Sequence, residues 1–191
     1  MPHNPSTQKK RRPPKKITKT YLENAGLYYL ERYASSSENF RRVMQRKIFR
    51  SAKHHEQNAE DFYPLLDEII ERYKSSGLLN DDLYCFSRVR SLYERGHSQR
   101  MIYTKLMQKG LTRDQITTAI AEYIEREGYN DQKECEYKAA EKYARKRRLG
   151  PYRIPPQPER YEKDIAAMAR AGFSYSVTKS VLQQVLDQDD V

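Results

Sequence analysis

The chain has 191 residues, a net charge of +10, sixteen tyrosines, no tryptophan and 37% hydrophobic residues. So little apolar material, much of it tyrosine, argues against one large core and for a modest, divided one. No apolar run approaches membrane-spanning length, no apolar signal segment follows Met1, and two cysteines without close spacing make neither a disulfide scaffold nor a metal site, so the expected location is the cytoplasm.

Residues 1–19 carry Pro2, Pro5, Pro13 and Pro14 with seven lysines and arginines and no acid, which leaves +3 for residues 20–191. Such a stretch is expected to be a disordered basic tail, lying along a phosphate backbone or an acidic surface, or simply keeping the protein in solution. A first helix is predicted over 19–33, burying Leu22, Ala25, Tyr29 and Leu30. Ser36 or Ser37 then caps a second helix over 38–51. That helix is heavily basic through Arg41, Arg42, Arg46, Lys47 and Arg50, and its extension runs on through Lys53, His54, His55 and Glu56. A third, near 60–75, presents Leu65, Leu66, Ile69, Ile70 and Tyr73, with Pro64 in its first turn, where a missing N–H costs little.

The middle of the chain repeats this plan more clearly. A helix over 82–94 stops at Gly96. The next opens at Ser98, carries Ile102, Tyr103 and Leu106, and stops at Gly110. The third opens near Thr112 and carries Ile116, Ala119, Ile120, Tyr123 and Ile124 on one helical face. Ser98 and Thr112 suit helix starts, and Gly96 and Gly110 suit the left-handed position after a helix end. A long helix over 132–149 follows, ending in Lys142, Arg145, Lys146, Arg147 and Arg148. Gly150, Pro151, Pro155, Pro156 and Pro158 then break the chain, before helices near 160–170 and 174–186 and an acidic end at Asp187, Asp189 and Asp190.

Joints and apolar positions recur together. Gly128, Asn130 and Asp131 repeat the joint at Gly77, Asn80 and Asp81 with one residue fewer, and residues 168–174 echo 106–112. Upstream, Leu27 and Leu30 precede Ser36 as Val89 and Leu92 precede Ser98, while Phe40 and Met44 match Ile102 and Leu106. Cys85 and Cys135 fall at equivalent places and are expected to serve helix packing. The expected fold is all-α: tandem three-helix repeats over 20–79, 80–128 and 129–187, the last interrupted by the proline-rich break at 150–158, forming an elongated, curved and monomeric array.

Nothing rises to an enzyme signal. His97 and Arg100 form a His-x-x-Arg pair of the kind used by tyrosine recombinases, but they flank a helix cap in a repeated unit. His54, His55 and Glu56 lack the geometry of a zinc protease, in which the glutamate lies between histidines four apart. No glycine-rich phosphate loop with its lysine is present, and no cofactor is implied. What accumulates is basic surface: Arg41/Arg42/Arg46/Lys47/Arg50, Arg95/Arg100/Lys105/Lys109/Arg113 and Arg145/Lys146/Arg147/Arg148 recur near helix ends. On a solenoid these clusters can fall along one face suited to a charged polymer or a filament groove, or remain solvated surface.

The central unit resembles the RecX family of recombination regulators. The likeness rests on Leu79-Asn80-Asp81-Asp82, on Arg88 and Arg95-Gly96, on residues 102–110 with Ile116, and on 168–173 with Val177. It covers about 20–186 and is strongest over 77–128. It implies a non-enzymatic array of three-helix repeats that binds the RecA recombinase filament on single-stranded DNA and modulates its ATPase and strand exchange in DNA repair. The resemblance carries over the basic positions Arg88, Arg95, Lys105, Lys109 and Arg170, and Arg100, Arg145, Arg147 and Arg148 join them on charge clustering alone. The long insertion at 50–60, the missing first-unit glycine, the proline-rich break and the basic tail depart from the family pattern. A direct DNA- or RNA-binding protein and a helical scaffold for an acidic partner are the alternatives.

Overall fold

The computed structural model describes residues 13–183. Among them are nine α-helices and no strand: α1 (Lys19–Leu30), α2 (Ser37–His54), α3 (Tyr63–Ser75), α4 (Asp81–Glu94), α5 (Gln99–Met107), α6 (Arg113–Arg126), α7 (Gln132–Arg147), α8 (Tyr161–Arg170) and α9 (Tyr175–Leu182). The chain divides into two compact units between Leu79 and Asn80. No described helix is long and apolar enough to cross a membrane.

The helices are set by a short repeated grammar. Thr18, Ser36, Asn80, Ser98, Thr112, Asp131 and Ser174 each accept a backbone N–H from the first turn of the helix that follows. Thr112 and Gln115 complete a reciprocal capping box. At the helix ends, His97, Leu111, Tyr129, Leu149 and Phe173 each donate to the carbonyl five residues back, across a residue held at positive φ. The same arrangement closes α2, where Gln57 donates to Ala52 and Glu56 takes the left-handed place at φ 55°. The first unit thus has the joint where the glycine was missed, eight residues later than at Ile48.

In the first unit α1, α2 and α3 bury Leu22, Ala25, Phe40, Met44, Ile48, Leu66, Ile69, Ile70 and Tyr73. Two expectations fail here. Leu27, matched in sequence to the buried Val89, is 47% exposed, because Gly26 turns inward instead and the rings of Phe40 and Tyr73 close on it. The expected tail also ends earlier. Its residues 1–12 lie outside the described residues, but Ile17 is buried, Ser51 Oγ donates to the Lys15 carbonyl at 2.6 Å, and His55 Nε2 lies 3.0 Å from the Pro14 carbonyl oxygen. One apolar side chain and two polar ties hold residues 14–17 in place.

The second unit packs α4–α9 around Val89, Tyr93, Ile102, Leu106, Ile116, Ile120, Tyr123, Ala140, Ala144, Met168 and Val181. Counted from the caps, Ile102 and Leu106 take the fourth and eighth positions, as Phe40 and Met44 do after Ser36 and Thr178 and Leu182 do after Ser174. Cys85 and Cys135 are both buried and free, but they stand five and four residues after their caps, so their places are neighbouring rather than equivalent. Residues 185–190 lie outside the described residues, and α9 is described to Leu182. The proline-rich break is pinned by a buried ion pair. Arg153 donates through both terminal nitrogens to Asp164 at 3.0 and 2.8 Å, and the Gly150 N–H donates to the same carboxylate at 2.8 Å.

Candidate partner-binding site

The site is built by α5, whose first turn is held from outside its own repeat. Ser98 Oγ accepts from the Met101 N–H and donates to the Ala171 carbonyl at 2.6 Å. The Gln99 N–H donates to the Glu136 carboxylate at 3.0 Å, so a carboxylate from α7 satisfies an orphan donor and the positive end of the α5 dipole. Burial raises the Glu136 pKa, and that hydrogen bond opposes the rise. Gly96 presses the α4–α5 joint onto α7, where a Cβ would meet the Tyr143 nitrogen at 2.9 Å and the Ala139 carbonyl at 3.1 Å.

This docking opens a cleft of about 530 Å³ between α5 and the C-terminal ends of α7 and α8. Met101, Leu149 and Ala167 contribute apolar lining, and Lys105, Arg147 and Arg170 bring positive charge from three separate helices. The Arg147 guanidinium also lies 5.8 Å from the centre of the Tyr143 ring. His97 lines the same cleft, and burial first, then Lys105, Arg95 and Lys146, hold its pKa below the usual histidine value. A histidine whose protonation is disfavoured by its neighbours fits a cleft whose local field is positive.

The remaining sequence-selected residues are placed elsewhere. Arg100 lines a wider cleft of about 1090 Å³ with Gln132, Glu136 and Ser174. Arg145 lies 5.1 Å from the centre of the Tyr152 ring and pairs with Glu141 at 3.4 Å. Arg148 supplies the left-handed residue that ends α7. Arg95 is the exposed C-cap of α4, Arg88 is half-buried on α4, and Lys109 is exposed just beyond α5. The sequence reading passed over Glu136, Arg153 and Asp164. Asp164 follows the proline cluster on a helix that has no side-chain cap, which is a faint signal for a carboxylate with a structural task.

No protein-family model matches the chain. The chain is 36% identical over 182 residues to the regulatory protein RecX of Myxococcus xanthus (strain DK1622), across 93% of this chain and 94% of that protein. It is 29% identical over 175 residues to the regulatory protein RecX of Agrobacterium fabrum (strain C58), across 88% and 85%. Two crystal structures share the fold. One, of a regulatory protein RecX, has a TM-score of 0.61 at 21% identity over 87% of this chain and 72% of that one. The other, of RecX from Lactobacillus salivarius, has a TM-score of 0.62 at 20% identity over 86% and 94%.

Proposed function

This chain belongs to the RecX family of regulatory proteins, and from that premise we propose that it is a non-enzymatic, monomeric regulator that binds the RecA filament on single-stranded DNA and lowers its ATPase and strand exchange. The observation that carries this reading is the likeness, over nearly its whole length, to a curated regulatory protein. The cationic cleft supports it, since Lys105, Arg147 and Arg170 converge where an acidic protein surface can enter. Arg88, Arg95, Lys109, Arg100, Arg145 and Arg148, which lie outside that cleft, are secondary contacts in this reading. Its place of action is the cytoplasm, where the recombinase works.

The test titrates the protein into preformed RecA filaments and follows ATP hydrolysis, with binding to bare DNA measured in parallel at the same salt. Hydrolysis falls at protein levels well below those that coat the DNA. The combined variant Lys105→Glu, Arg147→Glu, Arg170→Glu relieves the effect with helicity retained, whereas single changes do little, since exposed ionic contacts are individually weak. Inhibition that merely tracks DNA occupancy would give the direct nucleic-acid binder first place. An unchanged ATPase and filament lifetime would leave the scaffold for an acidic partner.

A further inference from the structure

The first unit carries a second charged surface that does not depend on the reading above. Along α2, Arg46, Phe49, Arg50 and Lys53 follow one another at spacings of three, one and three residues, which puts them on one helical face. The buried side chains of the helix, Phe40, Met44, Ile48 and Ser51, lie on another. Arg46, Arg50 and Lys53 are exposed, and the Phe49 ring is 58% exposed between them.

Pairing sets this stripe apart. The other described arginines of the unit each have a carboxylate: Arg32 with Glu31, Arg41 with Asp67, Arg42 with Glu38 and Arg72 with Glu23. Among the described residues no acid pairs with Arg46, Arg50 or Lys53; Arg50 Nε reaches only the Arg46 carbonyl, at 3.5 Å. The crowding is felt next door, where burial and then Arg50 lower the pKa of Lys47. The ties to Ser51 and His55 also hold the segment carrying Lys15 and Lys16 against the last turns of the same helix. Like charges gathered without counter-charges are costly in the free protein and favourable once an anion arrives.

We infer that this face of α2 is a docking strip for single-stranded nucleic acid, with backbone phosphates on Arg46, Arg50 and Lys53 and a base stacked on Phe49. The rise along α2 is about 6 Å from Arg46 to Arg50 and about 10 Å from Arg46 to Lys53, a scale that suits neighbouring phosphates on an extended strand. An exposed aromatic ring amid cations accepts the face of any base, and only an unpaired strand offers one. A duplex hides those faces, and the carboxylates of an acidic peptide offer no flat ring to stack on Phe49.

The test is fluorescence anisotropy of the full chain with a labelled 20-nucleotide oligo-dT and with a hairpin duplex. The variant Arg46→Gln, Arg50→Gln, Lys53→Gln weakens oligo-dT binding by about tenfold or more and makes its logarithmic salt slope shallower by about 2, as three lost phosphate contacts require. Phe49→Ala weakens oligo-dT binding by about fivefold or more and leaves duplex binding unchanged. A control with the same charge loss, Arg32→Gln, Arg42→Gln, Arg72→Gln, has a much smaller effect, and circular dichroism shows all variants helical. Equal losses in the stripe and control variants would overturn the inference. So would a Phe49→Ala loss that is the same on duplex, or displacement of oligo-dT by polyglutamate as readily as by unlabelled oligo-dT.

Discussion

Ser98 and Gly172 compete for one space: the Ser98 hydroxyl lies 2.6 Å from the point where a Cβ on residue 172 would stand. That hydroxyl is also the donor to the Ala171 carbonyl, so the start of α5 and the α8–α9 joint are locked together through a position only glycine can fill. The backbone adds a second demand, since Gly172 has φ 92°.

Gly172→Ala therefore lowers stability by about 2–3 kcal/mol, the left-handed strain plus the lost Ser98 contact. Gly128→Ala is the control. Its φ is 72°, but nothing lies within 4 Å of the added methyl, so only the strain of about 1 kcal/mol remains. Thermal or urea unfolding of the two variants should separate them; equal losses would show that the Ser98 packing contributes nothing.

Gly110 has φ 81° and ends α5, and valine there meets a conformation that β-branched side chains avoid. Gly110→Val is expected to lower the unfolding midpoint clearly. Thr112→Ala, two residues on, removes one half of the capping box and costs about 1 kcal/mol.

The buried Arg153–Asp164 pair makes acid unfolding specific. Burial alone would raise the Asp164 pKa, but Arg153 and the Gly150 N–H outweigh it, and the net shift is downward. A carboxylate depressed in the folded state stabilises the fold above its unfolded pKa, and that stability is lost as pH falls through the folded value. Arg153→Met strands a buried charge and costs roughly 3 kcal/mol at neutral pH. Asp164→Asn should flatten the acid limb of the stability–pH curve. An unchanged limb in that variant would show that another carboxylate governs it.

His97 reports on the cleft. Its pKa is lowered by burial and by Lys105, Arg95 and Lys146, so its neutral form supports the fold and protonation at acid pH weakens it. Lys105→Glu replaces a repelling charge with an attracting one and should move the His97 titration upward by NMR. A titration that stays in place would mean that Lys105 does not face the imidazole.

Cys85 and Cys135 should resist thiol reagents in the native protein at pH 8 and react once it is unfolded. Both are buried, and burial is the chief cause that pushes both thiols up to about 12, which leaves little of the reactive thiolate. Rapid native labelling would reveal an opening of α4 or α7 that the packing does not suggest.

What the sequence by itself determined is local. A cap bonds three residues along, a joint bonds five back and an apolar stripe recurs every three or four, so Ser98, Gly110, Thr112 and the buried face Ile116, Ala119, Ile120 and Tyr123 were legible from order alone. The same rules misled where packing overrode pattern. Leu27 has the right spacing but points outward, because an inward Gly26 makes room for two rings. Ile17, alone among charges, carried no periodic signal at all, although it anchors the segment expected to be loose. Only the tertiary structure decided which cations meet. Lys105, Arg147 and Arg170 stand on helices far apart in the chain, and Arg100 and Arg145, which the charge count treated as their equals, face other neighbours. Surface charges obey no period, since water tolerates them on any exposed face. Their grouping is set by how buried contacts such as Gly96 on α7 and Ser98 on Ala171 orient one helix against the next.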